Sequence, residues 1–249
     1  MKMDISFQLY SARNATPWEG VVKTLAGLGY TQVEGFGANF EDATGFRSLL
    51  DQNGLSMPSG HFSVDMLENE PEKALEIAKA LGITRVYCPY LDESERPNDA
   101  AGWAAFAARL EAIGERMRAG GVAFGWHNHD FEFVACDDGT LPMQTILDGA
   151  PNIDWEADIA WIIRGGADPF AWISANKGRI TAAHVKDIAP AGECADEDGW
   201  SDVGHGTVDW AALMTALTEA GVDLFVMEHD NPSDATRFAT RSIEALRQM

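Results

Sequence analysis

Eight short apolar runs recur along the chain, at residues 5–10, 31–36, 55–61, 85–88, 122–126, 153–158, 180–186 and 224–227, and each is followed by a stretch with helix start and stop signals. This alternation constrains the fold more than any other feature, because parallel strands need long crossovers and a helix is the usual one. Thr16 reads as a cap with Pro17 at the first helical position and Glu19 in the capping-box place, and the helix runs to Leu28 and stops at Gly29. Further helices are expected at 43–52, 71–81, 98–119, near 142–147, near 169–175, after Trp210 as far as Ala220-Gly221, and at 233–249. Eight strand-then-helix units in 249 residues are the arithmetic of an α/β fold, the (β/α)8 TIM barrel. An open doubly wound sheet is the alternative, but no Gly-x-Gly-x-x-Gly follows any of the runs. No Pro/Gly/Ser-rich linker divides the chain, so residues 1–249 are expected to form one domain.

Charge narrows the partners. A formal charge of −21 and a pI near 4.4 oppose binding to nucleic acid, whose phosphates are neutralised by Lys and Arg. No run of apolar residues is long enough to span a bilayer, and the start lacks the apolar segment of a secretory signal, so a cytoplasmic protein with no membrane partner is expected. Cys88, Cys136 and Cys194 are scattered and odd in number, which indicates neither a disulfide framework nor a structural zinc site. The oligomeric state is left open, with a homo-oligomer compatible.

The stretch from Gly125 to Phe133 carries the chemistry. It sets His127 and His129 two residues apart at the end of the fifth run, so both would project the same way on a strand, with Glu132 close behind. In a TIM barrel the active site lies at the C-terminal ends of the strands. Polar residues expected there are Gln8 and Tyr10, Glu34, His61, His127, His129 and Glu132, Asp158, His184 and Lys186, and Glu228, His229 and Asp230. Each alone has an ordinary structural use; their recurrence at most strand ends points to a site. Carboxylates and imidazoles without cysteine suit one divalent ion, Mn²⁺ first, with Mg²⁺, Co²⁺ or Zn²⁺ as alternatives. His229 follows Glu228 and would point the opposite way. His205, in Gly204-His205-Gly206, fits a loop role, and residues 187–207 form the longest irregular segment.

Gln8-Leu9-Tyr10-Ser11-x-Arg13, His127-Asn128-His129-Asp130-Phe131-Glu132-Phe133, Asp158-x-x-Trp161, His184-Val185-Lys186-Asp187, Gly204-x-Gly206-x-Val208-Asp209-Trp210 and Glu228-x-Asp230-Asn231 together resemble the sugar isomerase/epimerase superfamily of xylose-isomerase-like TIM barrels. The resemblance covers essentially the whole chain and is more specific for fold and metal site than for reaction. It implies a metal held by residues after strands five to eight: Asp158, His184 and Glu228 match directly. Where relatives carry Glu-Asn-His, this chain has His127-Asn128-His129, so the strand-five ligand is expected to be Glu132, with His127 as the rival.

The resemblance also implies an isomerase or epimerase acting on a small carbohydrate by α-proton transfer through a metal-bound enediolate. His129 is the first candidate for acid/base work, with Glu228 or His127 as the second group and Lys186 in support; Gln8, Tyr10, Glu34, His61 and Trp161 would contact substrate. The alternative is a metal-dependent lyase or dehydratase that expels a β-substituent from a 3-keto-sugar or 3-oxo-glycoside. A DNA-repair nuclease shares the fold, but the acidity opposes it, and a carbohydrate-binding barrel without catalysis would not need the metal. Glu193, Asp196, Glu197, Asp198 and Asp202 follow strand seven with no Lys or Arg between Asp187 and Asp209, so a non-phosphorylated sugar is expected.

Overall fold

The computed structural model describes residues 4–249. Its strands are β1 (Ile5–Gln8), β2 (Gln32–Gly35), β3 (Ser56–His61), β4 (Arg85–Cys88), β5 (Ala123–His127), β6 (Asp154–Asp158), β7 (Ile180–Val185), β8 (Asp187–Ile188), β9 (Trp200–Ser201) and β10 (Leu224–Met227). The short β8 and β9 pair antiparallel, while the others are parallel and close into a barrel in chain order, with β10 returning to β1. The helices are α1 (Trp18–Leu28), α2 (Ala43–Gln52), α3 (Val64–Asn69), α4 (Pro71–Leu81), α5 (Ala100–Ala119), α6 (Pro142–Gly149), α7 (Ile159–Arg164), α8 (Pro169–Ala175), α9 (Trp210–Glu219) and α10 (Ala235–Leu246). The (β/α)8 expectation therefore describes the fold, and no helix among the described residues is long and apolar enough to cross a membrane.

Local chemistry explains where the elements depart from the sequence pattern. β1 ends at Gln8 because the chain tightens at once into a 3-10 turn over Leu9–Ala12, with the Gln8 side chain accepting from Tyr10 N. Thr16 does not cap α1: the extended Pro17 is the residue at its boundary, with no side-chain cap bond. Asp99 and Asp234 do cap, so α5 and α10 begin at Ala100 and Ala235 rather than at 98 and 233. Two crossovers carry an extra helix that the periodicity does not separate. α3 is started by Ser63, and α7 by Asp158, whose Oδ1 accepts from Trp161 N.

Strand alternation sorts the side chains into two cores. Phe7, Val33, Val86, Trp126, Trp155, Ala183, Phe225 and Met227 join the large core shared with the helices. Tyr87, Ala182, Leu224 and Val226 form a small separate cluster that plugs the barrel interior. Gly125 follows from that plug, since a Cβ there would lie 2.8 Å from Tyr87 Cδ1 and 2.7 Å from the Asp154 carbonyl oxygen. Towards the C-terminal ends the inward residues turn polar: Gln8, Glu34, His127, Glu156, Asp158 and His184 are all buried.

Charged contacts pin the loop after β7. The Asp187 carboxylate accepts from the backbone N–H of Ile188 (2.8 Å), Gly204 (2.9 Å), Gly206 (3.2 Å) and Val208 (3.0 Å). A side chain at Gly206 would run into that carboxylate, which accounts for the glycine and for His205 sitting in a structural turn. Further along, Glu197 accepts from both Arg237 Nη atoms at 2.9 Å and from Ser233 N at 2.7 Å. Burial alone would raise the Glu197 pKa, but the guanidinium and the Ser233 contact outweigh it and bring it from 4.5 down to about 2. The contact thus stabilises the loop above pH 4.5 and is lost as the pH falls towards 2. Limited proteolysis at residues 189–209 is expected to accelerate across that window, whereas Arg237→Ala should be cleaved faster already at neutral pH.

Candidate active site

Two groups of side chains meet inside the barrel mouth, and His184 belongs to both. The lower group joins His61, His127, Glu156 and His184 to Glu34. His61 Nε2 lies 2.6 Å from Glu156 Oε2 and 3.2 Å from Glu34 Oε1. His127 Nδ1 is 3.0 Å from Glu156 Oε2, His184 Nε2 is 2.7 Å from Glu34 Oε1, and Gln8 Nε2 donates to the same Glu34 oxygen at 2.8 Å. The upper group is Asp158, His184 and Glu228, whose ligand atoms lie within 4.8 Å of one another. His184 Nδ1 stands 3.8 Å from Asp158 Oδ2 and 4.0 Å from Glu228 Oε2.

Distances separate the two; buried oxygens without a partner occur in both, Glu34 Oε2 and Glu156 Oε1 in the lower group included. Around an ion with bonds of about 2.1 Å, tetrahedral ligand atoms lie roughly 3.4 Å apart. The 2.6 Å His61–Glu156 contact is too short for that and is a hydrogen bond. In the upper group, Asp158 Oδ2, His184 Nδ1 and Glu228 Oε2 are buried without any hydrogen-bond partner. These three ligand atoms, an imidazole nitrogen with no donor and two carboxylate oxygens whose only close charge is the Lys186 ammonium, fit a divalent cation. Glu34 Oε1 lies 2.7 Å from His184 Nε2, so with a single ring proton on Nε2 the Nδ1 lone pair would face the upper group, the arrangement an outer carboxylate gives a metal-binding histidine.

Lys186 supplies the counter-charge. Its Nζ hydrogen-bonds Asp230 Oδ2 at 2.7 Å, and it lies 2.7 Å from Glu228 Oε2 and 3.1 Å from Asp158 Oδ2 without alignment as a hydrogen bond to either. Burial disfavours its ammonium form, yet Asp158, Asp230 and Glu228 outweigh burial and raise its pKa, so it stays charged. Burial likewise raises Glu228, reinforced by Asp230. In the lower group, burial opposes the His61 imidazolium but Glu34 and Glu156 prevail, raising it to about 10. His127 moves the other way: burial, and then the charges of His184 and His61, hold it well below the usual histidine range, so it is neutral at physiological pH. Burial and Lys186 bring His129 down to about 3.

A cavity of about 560 Å³ opens above these groups. Of the residues expected from the sequence, Gln8, Tyr10, His61, His127, His129, His184, Lys186, Glu228 and Asp230 line it. Glu34 and Asp158 are buried beneath, and Trp161 stands beside His129 with ring centroids 5.3 Å apart. Glu132 belongs to neither group. Its Oε1 accepts from Trp126 Nε1 and its Oε2 from His129 N, both at 2.9 Å. Trp126 alternates with His127 and faces the outer core, so the bond draws Glu132 away from the barrel axis, and the expected fourth ligand is not brought to the cluster. Glu132→Ala should strand two buried donors, each at a cost of about 1–3 kcal/mol. The expected outcome is a lower unfolding temperature with metal content unchanged by elemental analysis; loss of metal would restore Glu132 as a ligand.

Glu156 is the residue that the sequence reading missed. Its signal was available, since it sits two residues before Asp158 on β6 and must share the inward face. Asn128 joins the ends of β5 and β6, its Oδ1 accepting from Asp158 N at 3.0 Å and Trp155 Nε1 at 2.8 Å. His229 points away from the cavity, its backbone N–H donating to Ser11 Oγ at 3.0 Å.

Known proteins resemble the chain in sequence or in fold. The Rhizopine catabolism protein MocC of Rhizobium meliloti is 22% identical over 254 residues, covering 88% of this chain and 77% of that protein. A sugar phosphate isomerase/epimerase structure from Parabacteroides distasonis superposes with a TM-score of 0.84 at 19% identity, covering 99% of this chain and 94% of that one. The IolI protein, solved with a bound zinc atom, gives 0.79 at 15% identity, with 99% and 97% covered. Residues 22–249 match the xylose isomerase-like TIM barrel family, and the chain belongs to it.

Proposed function

We propose that this protein is a single-domain, divalent-metal-dependent enzyme that transfers the α-proton of a sugar or keto-sugar, acting as an isomerase or epimerase. The observation that carries the reading is the convergence of ligand atoms from Asp158, His184 and Glu228 within 4.8 Å of one another, beside a neutral, carboxylate-anchored histidine. Mn²⁺ is the first ion to test, and Zn²⁺ the next. When bound, such an ion supplies Lewis acidity towards a carbonyl oxygen. His127 is the proton acceptor: Glu156 takes its Nδ1–H, which orients the ring and leaves Nε2 for the substrate. His129 lacks an anchoring partner at Nδ1 and serves to position a hydroxyl. Glu228, which lines the cavity, is the second proton-transfer group.

An uncharged substrate is supported by the site's cations. Among the described residues Lys186 is the only Lys or Arg lining the cavity, and three carboxylates surround it. The loop amides after β7 that could hold a phosphate are taken by Asp187. The reading is tested by following solvent deuterium incorporation by NMR across free sugars, sugar phosphates and 3-keto-sugars. Exchange in the unphosphorylated compounds is expected; none anywhere, or a large preference for phosphates, would overturn it.

Elimination is the second reading, favoured by the extent of the cavity beyond its polar floor. There the C–H electron pair would form a C=C bond as the bond to the β-substituent breaks, and the departing oxygen would leave with a proton.

A further inference from the structure

The cavity is two-sided. Its floor holds the imidazoles and carboxylates, but the wall built by the loops after β1 to β4 is Tyr10, Phe36, Phe40, Phe62, Met66 and Tyr90. The wall is ordered by aromatic contacts. Phe40 stacks on Phe62 at 4.3 Å between centroids, Tyr10 meets Phe36 edge-on at 5.3 Å, and Tyr90 meets His129 edge-on at 5.2 Å. Guanidinium groups hold the two rim rings, Arg13 over Tyr10 at 4.0 Å and Arg96 over Tyr90 at 5.1 Å. Arg13 is itself bonded to the Tyr10 and Asp230 carbonyls. Tyr10 and Tyr90 nevertheless remain 40% and 46% exposed, among the most exposed large hydrophobic side chains of the described residues.

Such a surface is larger than the C–H face of one sugar ring can cover. A single sugar ring presents hydroxyls that the floor can satisfy, and it fills only part of a cavity whose 560 Å³ falls within the range of about 300–1,000 Å³ that takes drug-sized ligands. The remaining space is bounded by ring faces and edges and a thioether, which gain from displacing water only when an apolar group lies against them. We propose that the substrate is a glycoside whose sugar sits on the histidine–carboxylate floor and whose flat, aromatic aglycone lies against the Tyr10–Phe36–Tyr90 wall. This rests on the proposed function only in taking the floor as the sugar site; the wall is a separate binding surface.

Calorimetry on the metal-loaded protein tests it with matched phenyl and methyl β-glycosides of glucose, galactose and xylose, their 3-keto counterparts, and 2-naphthol as an aglycone alone. One phenyl ring buried against the wall is expected to tighten binding about 10- to 100-fold over the methyl glycoside, with a more negative heat-capacity change. In Phe36→Ser and in the rim variant Tyr90→Ser, the phenyl preference should collapse towards unity while methyl-glycoside affinity holds. Naphthol binding that is weakened by both variants, with no glycoside bound, would sink the sugar floor and leave the aromatic wall standing. Equal affinity for phenyl and methyl partners, a preference untouched by both variants, or no binding of any probe overturns the proposal.

Discussion

Replacing His127 by asparagine is expected to slow α-proton exchange by about 10²- to 10⁴-fold, the range over which a positioned acid or base contributes. Asparagine can keep a donor towards Glu156 Oε2, which His127 Nδ1 meets at 3.0 Å, so the buried carboxylate is not left unpaired and the fold should hold. Metal content is also expected to hold, because His127 lies outside the group formed by Asp158, His184 and Glu228. Rates from NMR-monitored deuterium exchange and ion content from elemental analysis together give the answer. Loss of the ion with loss of rate would make His127 the fourth ligand. An unchanged rate would hand the proton-transfer role to His129 or Glu228.

A change at Asp158 acts on the cation instead. In Asp158→Asn the Oδ1 cap on Trp161 N, 3.0 Å in the parent, can persist, while Oδ2 becomes an amide that no longer serves as an anionic ligand. The parent protein should gain about 2.7 kcal/mol of stability from an ion at a hundred times its dissociation constant, read as a rise in unfolding temperature with added Mn²⁺. The variant should lose most of that rise, and its exchange activity with it. Outer-shell changes alone commonly cost 10- to 100-fold in metal affinity, so the ligand itself should cost at least that. Glu34→Gln tests the outer shell: it keeps an oxygen near His184 Nε2, 2.7 Å away in the parent, but removes the charge, and should weaken the ion without abolishing it. An equal thermal shift in parent and Asp158→Asn would place the ion elsewhere.

These outcomes bear on how the site is encoded. The alternation of apolar runs and helix signals was enough for the barrel, because each unit is a local pattern and eight such units have few ways to close. The strand assignments also put Asp158, His184 and Glu228 at strand ends, which are neighbours in the closed barrel, and the family resemblance singled them out as ligands. Glu156, two residues before Asp158 on β6, shares its inward face by strand alternation but belongs to none of the motifs.

The remaining features depend on contacts between distant segments. Glu132 lies just beyond β5, where a 3-10 turn over Phe131–Phe133 re-aims the chain, and its direction was decided by a bond to Trp126 on the outer face. His184 found its partner in Glu34, 150 residues away, and Lys186 met its carboxylates only once β6, β7 and β10 were side by side. The aromatic wall likewise comes from loops after four different strands. By itself the sequence determined the fold, the inward faces and most of the polar residues at the mouth. Which of those residues bond to one another, and which are left with unshared lone pairs, was decided by closure of the barrel, because hydrogen bonds and charge compensation depend on distances across the fold that no local pattern carries.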